Sequence, residues 1–230
     1  MKLSDLLNDT LIVIPTFNES LDLKKTILNV QKYFPNILVI DDGSTDNSTL
    51  FLENFNQINF LTHCINLGQG KSLETGFLYF LSKGFKYLIT FDSDGQHNPK
   101  DALNMLKYIC ENDLDYLLGS RFLEKNEIDI PKLKKIILKL GVVFERYRSK
   151  LKLTDAHNGL RVLNRKAVED ILPIKCSKMA HASEIVYKLG NSKLKGREYP
   201  VTINYKNKKS QSSLNFIKIL FEIYLNEYLR

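Results

Sequence analysis

The sharpest chemical signal in this 230-residue chain is a pair of carboxylates two residues apart, Asp92 and Asp94, with Gln96 two residues further on. They follow an apolar run, Tyr87 to Phe91. In extended chain, residues i and i+2 point to the same side about 6.6 Å apart in rise, so both carboxylates are expected to face one spot. Left alone they would repel each other. A hard divalent cation resolves that repulsion, and oxygen donors from Asp92, Asp94, Gln96 and a substrate diphosphate suit Mg²⁺ or Mn²⁺. The same residue types also form solvated turns, so the segment by itself leaves both readings open.

Three other apolar runs end in segments that are similarly polar: Pro15-Thr16-Phe17-Asn18-Glu19, Asp41-Asp42-Gly43-Ser44 and Asn66-Leu67-Gly68-Gln69-Gly70-Lys71. An open parallel sheet binds its ligands beyond the carboxyl ends of its strands, which is where these segments would lie. Two commoner phosphate sites are disfavoured. The turn after the first run holds Pro15 and Phe17 in place of the glycines of a dinucleotide fold. Gly70-Lys71-Ser72 has the tail of a P-loop, but Ile65 stands where its first glycine belongs. Lys71 at the start of a predicted helix can still meet an anion.

The elements that must hold these loops are legible from periodicity. Strands are expected at 11–15, 36–41, 58–62, 87–91 and 115–119, and helices at 20–34, 46–55, 70–83 and 99–111. Ser20, Asp46 and Asn98 are candidate N-caps, and Pro99 suits a first turn. This alternation predicts an α/β fold with parallel strands and helices on both faces. After residue 120 it breaks down. Residues 131–152 interleave lysines and arginines with Leu133, Ile136, Ile137, Leu140, Val143 and Phe144, the pattern of a basic amphipathic helix or helix pair. Thr154 to Gly159 reads as a loop, 178–189 as a helix, 197–205 as a strand and 206–213 as a lysine-rich loop. Residues 214–230 read as an amphipathic helix.

The length fits one domain, residues 1–230. Three scattered cysteines, Cys64, Cys110 and Cys176, argue against a disulfide framework or zinc cage. With no signal-like or membrane-spanning apolar run, a cytoplasmic protein is expected. A net charge of +7 would suit nucleic acid, an anionic membrane or a phosphorylated substrate.

The segments LIVIPTFNES, ILVIDDGSTDNS, NLGQGKSLETG, FDSDGQHNP and GSRF, in this order and at these intervals, resemble family 2 glycosyltransferases of the GT-A fold, in particular the dolichyl-phosphate mannosyltransferase-like branch. The resemblance covers roughly residues 10 to 205. It implies a mostly parallel central sheet with flanking helices, a nucleotide-sugar half at 10–120, an acceptor half at 121–205, and a C-terminal loop and helix at 206–230. On the donor side it implies Pro15, Thr16 and Glu19 around the nucleotide, Asp42 at base or ribose, Lys71 near the diphosphate, and Arg121 on phosphate. Asp92 and Ser93 would lie at ribose and metal, with Asp94 and Gln96 as direct ligands. His97 is an acceptor-side or a structural residue.

Thr154 to Arg161 resembles the family segment ending in Gly-Phe-Arg, with Leu160 where phenylalanine is commoner. The family inverts the anomeric centre by single displacement, so a hydroxyl acceptor needs a base. Asp155 is the first candidate and Glu184, one helical turn from His181, the second. An already ionised prenyl phosphate would need none. Lys208-Lys209-Ser210-Gln211-Ser212-Ser213 departs from the branch's Gly-Glu-Ser-Lys segment and favours a lipid-linked glycan over polyprenyl phosphate as acceptor. The expected function is transfer from a UDP- or GDP-sugar in cell-surface polysaccharide or glycolipid synthesis, at the inner face of the cell membrane. The expected partners exclude nucleic acid and leave homo-oligomerisation open. A sugar nucleotidylyltransferase would need a glycine-rich loop that PTFNE does not supply. A non-catalytic basic module would leave the carboxylate-rich loops without a purpose.

Overall fold

The computed structural model describes residues 2–204, apart from 47, 54, 56–57, 124–131 and 156–157. In chain order the elements are α1 (Leu3–Asn8), β1 (Thr10–Thr16), α2 (Ser20–Val30), β2 (Ile37–Asp41), α3 (Ser48–Glu53), β3 (Asn59–Thr62), α4 (Gln69–Ser82), β4 (Tyr87–Thr90), α5 (Pro99–Glu111) and β5 (Tyr116–Ser120). There follow α6 (Lys132–Ser149), β6 (Arg161–Asn164), α7 (Arg165–Ile171), α8 (His181–Asn191) and β7 (Gly196–Pro200). The expected strands and helices of the first 120 residues appear within a few residues of their predicted ends. Asn98 caps α5 by accepting a hydrogen bond from the Lys100 amide. Asp46 takes the Ser48 amide on one oxygen and the Ser20 amide on the other, so it serves the starts of α3 and α2 together. Ser20 is thus the first residue of its helix and makes no side-chain cap.

The seven strands form one sheet in the order β3-β2-β1-β4-β6-β5-β7. Pairings β1·β2, β1·β4, β2·β3 and β5·β7 are parallel. The sheet is mostly parallel, as expected, with β6 lying antiparallel between β4 and β5. A four-residue strand between a glycine-bounded loop and an Asn164 helix cap carries too little periodicity to be read. Its side chains still alternate as a buried strand demands: Val162 joins the core beneath α2 and α5, and Leu163 the core beneath α4, α7 and α8. β1 divides in the same way, Ile12 and Ile14 to the first layer, Leu11 and Val13 to the second. Burial on both faces explains why β1 and β2 read as unbroken apolar runs.

The basic stretch forms the single helix α6, packed on α8. Glu145 is buried on it, and burial pushes that carboxyl up. The predicted strand at 197–205 shortens to β7, while the loop at 206–213 and the helix at 214–230 lie outside the described residues.

Candidate active site

In an open α/β sheet ligands bind beyond the carboxyl ends of the parallel strands. Here β2, β1 and β4 are neighbouring parallel strands, and the polar loops that leave them, with residues 15–19 after β1 and Asp92 to Gln96 after β4, share that end of the sheet. Pro15 and Thr16 end β1 fully buried, and Thr16 Oγ1 has no hydrogen-bond partner among the described residues. Glu19 directly precedes α2. The 15–19 loop is tied to the end of β2 by Asn18, whose amide N–H donates to Ser44 Oγ (2.9 Å) and whose Oδ1 accepts from Thr45 N (2.8 Å). Asp42 is buried and holds the third loop: it accepts from Leu67 N (3.0 Å), Gly68 N (2.7 Å) and His63 Nδ1 (2.8 Å). A carboxylate has about four acceptor positions, and these three donors among the described residues occupy most of them.

The glycines of the third loop serve packing. A Cβ on Gly68 would stand 2.3 Å from the Ser177 carbonyl oxygen, and one on Gly70 2.1 Å from that of Cys176. Lys71 donates to Glu74 (2.5 Å) and to the Ile174 carbonyl (2.7 Å), and Glu74 accepts from Ile174 N (3.0 Å), so the two side chains of α4 clasp residue 174 together.

The strand of the Asp92 segment ends at Thr90, and 93–95 form a turn in which Gly95 has φ 72°. Thr26 Oγ1 on α2 donates to the Ser93 carbonyl and pins the turn. This corrects the extended geometry assumed from the sequence. Asp94 turns to Gln96, accepting from its backbone N (3.1 Å) and its Nε2 (2.5 Å). Asp92 accepts from His97 Nε2 (2.9 Å) on one oxygen and from Gln69 Nε2 (3.3 Å) on the other, and keeps 30 % of its side chain exposed. Burial works against its charge, but the His97 hydrogen bond and the neighbouring Arg161 outweigh it, holding the carboxyl below its ordinary range. Among the described residues no three His, Cys, Asp or Glu side chains form a metal cage. The donor set of two carboxylates and one amide oxygen instead fits a Mg²⁺-like ion completed by substrate phosphate and water.

Three residues beside Asp92 had no assigned role in the sequence: Gln69, Gly159 and Arg161. A Cβ on Gly159 would stand 2.2 Å from Asp92 Oδ2 and 2.6 Å from its Cγ. Gly159→Ala is therefore expected to displace the carboxylate from His97 and lower metal-dependent nucleotide affinity about 10- to 100-fold. Calorimetric titration checks this against Gly84→Ala, whose new methyl meets open space; equal affinities would contradict it. Arg161 opens β6 as a fully buried guanidinium, lowered to about 10 by burial against the opposing pull of Asp92 and Asp155. Its cue was its place directly after Gly159-Leu160.

His181, also buried, is pushed down to about 4 by burial and by the Arg161 charge, and its Nδ1 bonds the Lys178 carbonyl (2.6 Å). Its folded value lies below the ordinary 6.5, so on acidification the unfolded chain takes up this proton first. The site is neutral to stability above about pH 6.5 and removes up to about 3 kcal/mol as pH falls from there to 4. Thermal unfolding from pH 7 to pH 4 is expected to fall more steeply in wild type than in His181→Gln, and parallel curves would count against this.

On the acceptor side, Asp155 is buried and bound at both oxygens by Arg121, through Nε (2.6 Å), Nη2 (2.7 Å) and the backbone N (3.1 Å). Glu198 on β7 accepts from Asp155 N (2.9 Å) and from Thr154 N and Oγ1 (both 2.8 Å), fixing this loop to the sheet. Glu184 accepts from Lys175 N (2.9 Å) and Cys176 N (2.7 Å) and pairs with Lys188 (2.9 Å). Despite its burial, these donors hold its carboxyl below its ordinary range.

A family model described as Glycosyl transferase family 2 matches residues 11–172. The chain belongs to this family and is a glycosyltransferase. A relative in Methanocaldococcus jannaschii, itself uncharacterised, is 32% identical over 96% of this chain and 93% of its own. The UDP-N-acetylglucosamine–dolichyl-phosphate N-acetylglucosaminyltransferase of Methanococcus voltae is 26% identical over 84% of this chain and 85% of its own. Among solved structures, glucosyl-3-phosphoglycerate synthase of Mycobacterium tuberculosis superposes with a TM-score of 0.71 over 98% of this chain and 84% of that one, at 11% identity. That likeness bears on the fold, which is the GT-A architecture expected of family 2.

Proposed function

We propose that this glycosyltransferase moves a sugar from a UDP- or GDP-sugar onto the phosphate of a polyprenyl lipid, with inversion and with Mg²⁺ or Mn²⁺ held by Asp92, Asp94 and Gln96. The observation that carries this reading is the state of the two base candidates. Asp155 has both oxygens on Arg121, and Glu184 has both on backbone amides and Lys188. A hydroxyl nucleophile needs a carboxylate within reach to take its proton; a phosphate oxygen arrives already ionised. In this reaction that oxygen bonds to the anomeric carbon, the carbon's bond to the diphosphate oxygen breaks, and the nucleoside diphosphate leaves, with no proton to place. The metal supplies Lewis-acid stabilisation of the leaving diphosphate. His97 and Gln69 orient Asp92, and the buried Arg161 charge acts on both Asp92 and Asp155.

Relatives support the acceptor class. Besides the Methanococcus protein, the polyprenol monophosphomannose synthase of Mycolicibacterium smegmatis is 27% identical over 70% of this chain and 64% of its own. A lipid acceptor calls for contact with a membrane surface. No described helix is long and apolar enough to cross a membrane, but the end of α6 presents Val143 (60 % exposed) and Tyr147 (87 %) beside exposed Arg146 and Lys150. Apolar side chains rimmed by cations suit an anionic bilayer surface. The Lys208–Ser213 departure that favoured a glycan acceptor lies outside the described residues. The deciding assay offers polyprenyl phosphate, the corresponding polyprenol and a glycosylated polyprenyl diphosphate in detergent with UDP- and GDP-sugars and Mn²⁺. Product from the phosphate alone is expected, and equal or faster transfer to a hydroxyl would overturn the acceptor assignment.

A further inference from the structure

The chain between β3 and α4 delivers Gln69, whose Nε2 donates to Asp92 (3.3 Å). Residues Cys64 to Leu67 on the way are all exposed, so packing of their own side chains does little to fix them. A hydrogen-bonded clasp at the foot of the loop does so instead. His63, just past β3, keeps only 11 % of its side chain exposed. Its Nδ1 meets Asp42 Oδ1 (2.8 Å) at the end of β2, and its Nε2 meets Thr75 Oγ1 (2.9 Å) on α4. Asp42 in turn accepts from Leu67 N on the same oxygen and from Gly68 N on the other. Both carboxylate oxygens are thus acceptors, which makes His63 Nδ1 a donor. Gly68, at φ 97°, then turns the chain into α4, with Gln69 as the first helical residue.

We propose that His63 is a positioning residue for the metal segment: by holding Asp42 between α4 and the third loop, it sets where Gln69 meets Asp92. This rests on the metal reading above and adds a residue outside the donor set. Asp42, expected at base or ribose, also anchors the loop. The path from imidazole to metal carboxylate is short. His63 holds Asp42, Asp42 holds the Gly68 amide, and Gln69 follows Gly68 directly. Without the imidazole, Asp42 keeps the two loop amides, but the hydrogen bonds that run through the ring to Thr75 are gone, so carboxylate and loop can shift together. The Gln69 bond tolerates little of that, because 3.3 Å already lies at the long end for an N–H···O hydrogen bond. A histidine that only stabilised the fold would lower the melting temperature with no regard to Gln69.

Calorimetry of UDP and GDP with Mn²⁺ compares wild type with His63→Leu, His63→Asn, Gln69→Leu and the double variant His63→Leu with Gln69→Leu. His63→Leu is expected to weaken binding about five- to tenfold, at or below the low end of the 10- to 100-fold typical of losing a group that bonds a metal ligand directly. His63→Asn puts an amide nitrogen where Nδ1 stands and keeps a donor for Asp42, so affinity should return to within about twofold of wild type. Because His63 acts through Gln69, the double variant should bind within about twofold of Gln69→Leu. A folded His63→Leu that binds like wild type, or a double variant in which the two losses add in full, would overturn the proposal. ¹⁵N NMR of the metal-free wild type reads the clasp without any variant: His63 Nδ1 is expected to carry a proton, and a bare Nδ1 would also overturn it. A wild type that binds neither nucleotide with Mn²⁺ overturns the metal reading and this proposal with it, whereas an indifferent His63→Leu beside a binding wild type overturns the proposal alone.

Discussion

Asp94→Ala is expected to lower sugar transfer about a thousandfold and to abolish Mn²⁺-dependent nucleotide binding, while leaving the melting temperature close to wild type. The size follows from losing Lewis-acid stabilisation worth several kcal/mol, at about 1.4 kcal/mol per tenfold in rate. The small effect on folding follows from Asp94's position: it lies half-buried in a turn after β4, where it accepts from the backbone and side chain of Gln96, two residues away. Gln96→Ala should fall between wild type and Asp94→Ala, because it removes one neutral donor and leaves both carboxylates in place. Turnover and calorimetry on the same preparations check both. A thousandfold loss accompanied by unchanged Mn²⁺–nucleotide affinity would place Asp94 in some role other than metal binding.

Arg161→Met is expected to act on stability and function together. The guanidinium is buried at 2 % exposure in a strand between β4 and β5, and its charge faces Asp92 and Asp155. Removing one member of a buried charge set typically costs about 3–5 kcal/mol, because the remaining charges stay in a low-dielectric site without their counterpart. Denaturant unfolding should register a loss of about 3 kcal/mol, and nucleotide affinity with Mn²⁺ should fall because Asp92 loses the charge that helps keep it ionised. Arg161→Lys, which keeps the charge, should recover much of the stability and less of the binding. Unchanged unfolding and unchanged binding in the methionine variant would refute this role.

These two residues differ in how openly the sequence announced them. Asp94 stands in a Asp-Ser-Asp-Gly-Gln segment after an apolar run, where side-chain type and strand-end position both speak for a metal. What the sequence misjudged was local geometry: glycine at 95 and the Thr26 hydrogen bond convert the supposed extension of β4 into a turn. Arg161 was hidden because β6 is four residues long and antiparallel, and no periodicity distinguishes such a strand from the loop before it. The long-range clasps were equally beyond reach. Lys71 to Ile174, Asp42 to Leu67 and Gly68, and Arg121 to Asp155 join segments 25 to 103 residues apart. Nothing in either partner's neighbours names the other. The first 120 residues were legible because each buried strand is an apolar run and each helix has a face, and both follow from burial.

The most direct test of the metal-diphosphate site is calorimetric titration of UDP and GDP into the wild-type protein, with Mn²⁺ and then with EDTA. The account predicts that at least one nucleotide binds with Mn²⁺ and that chelation removes the binding. Binding of neither nucleotide with Mn²⁺ present, or equal binding with EDTA, would contradict it.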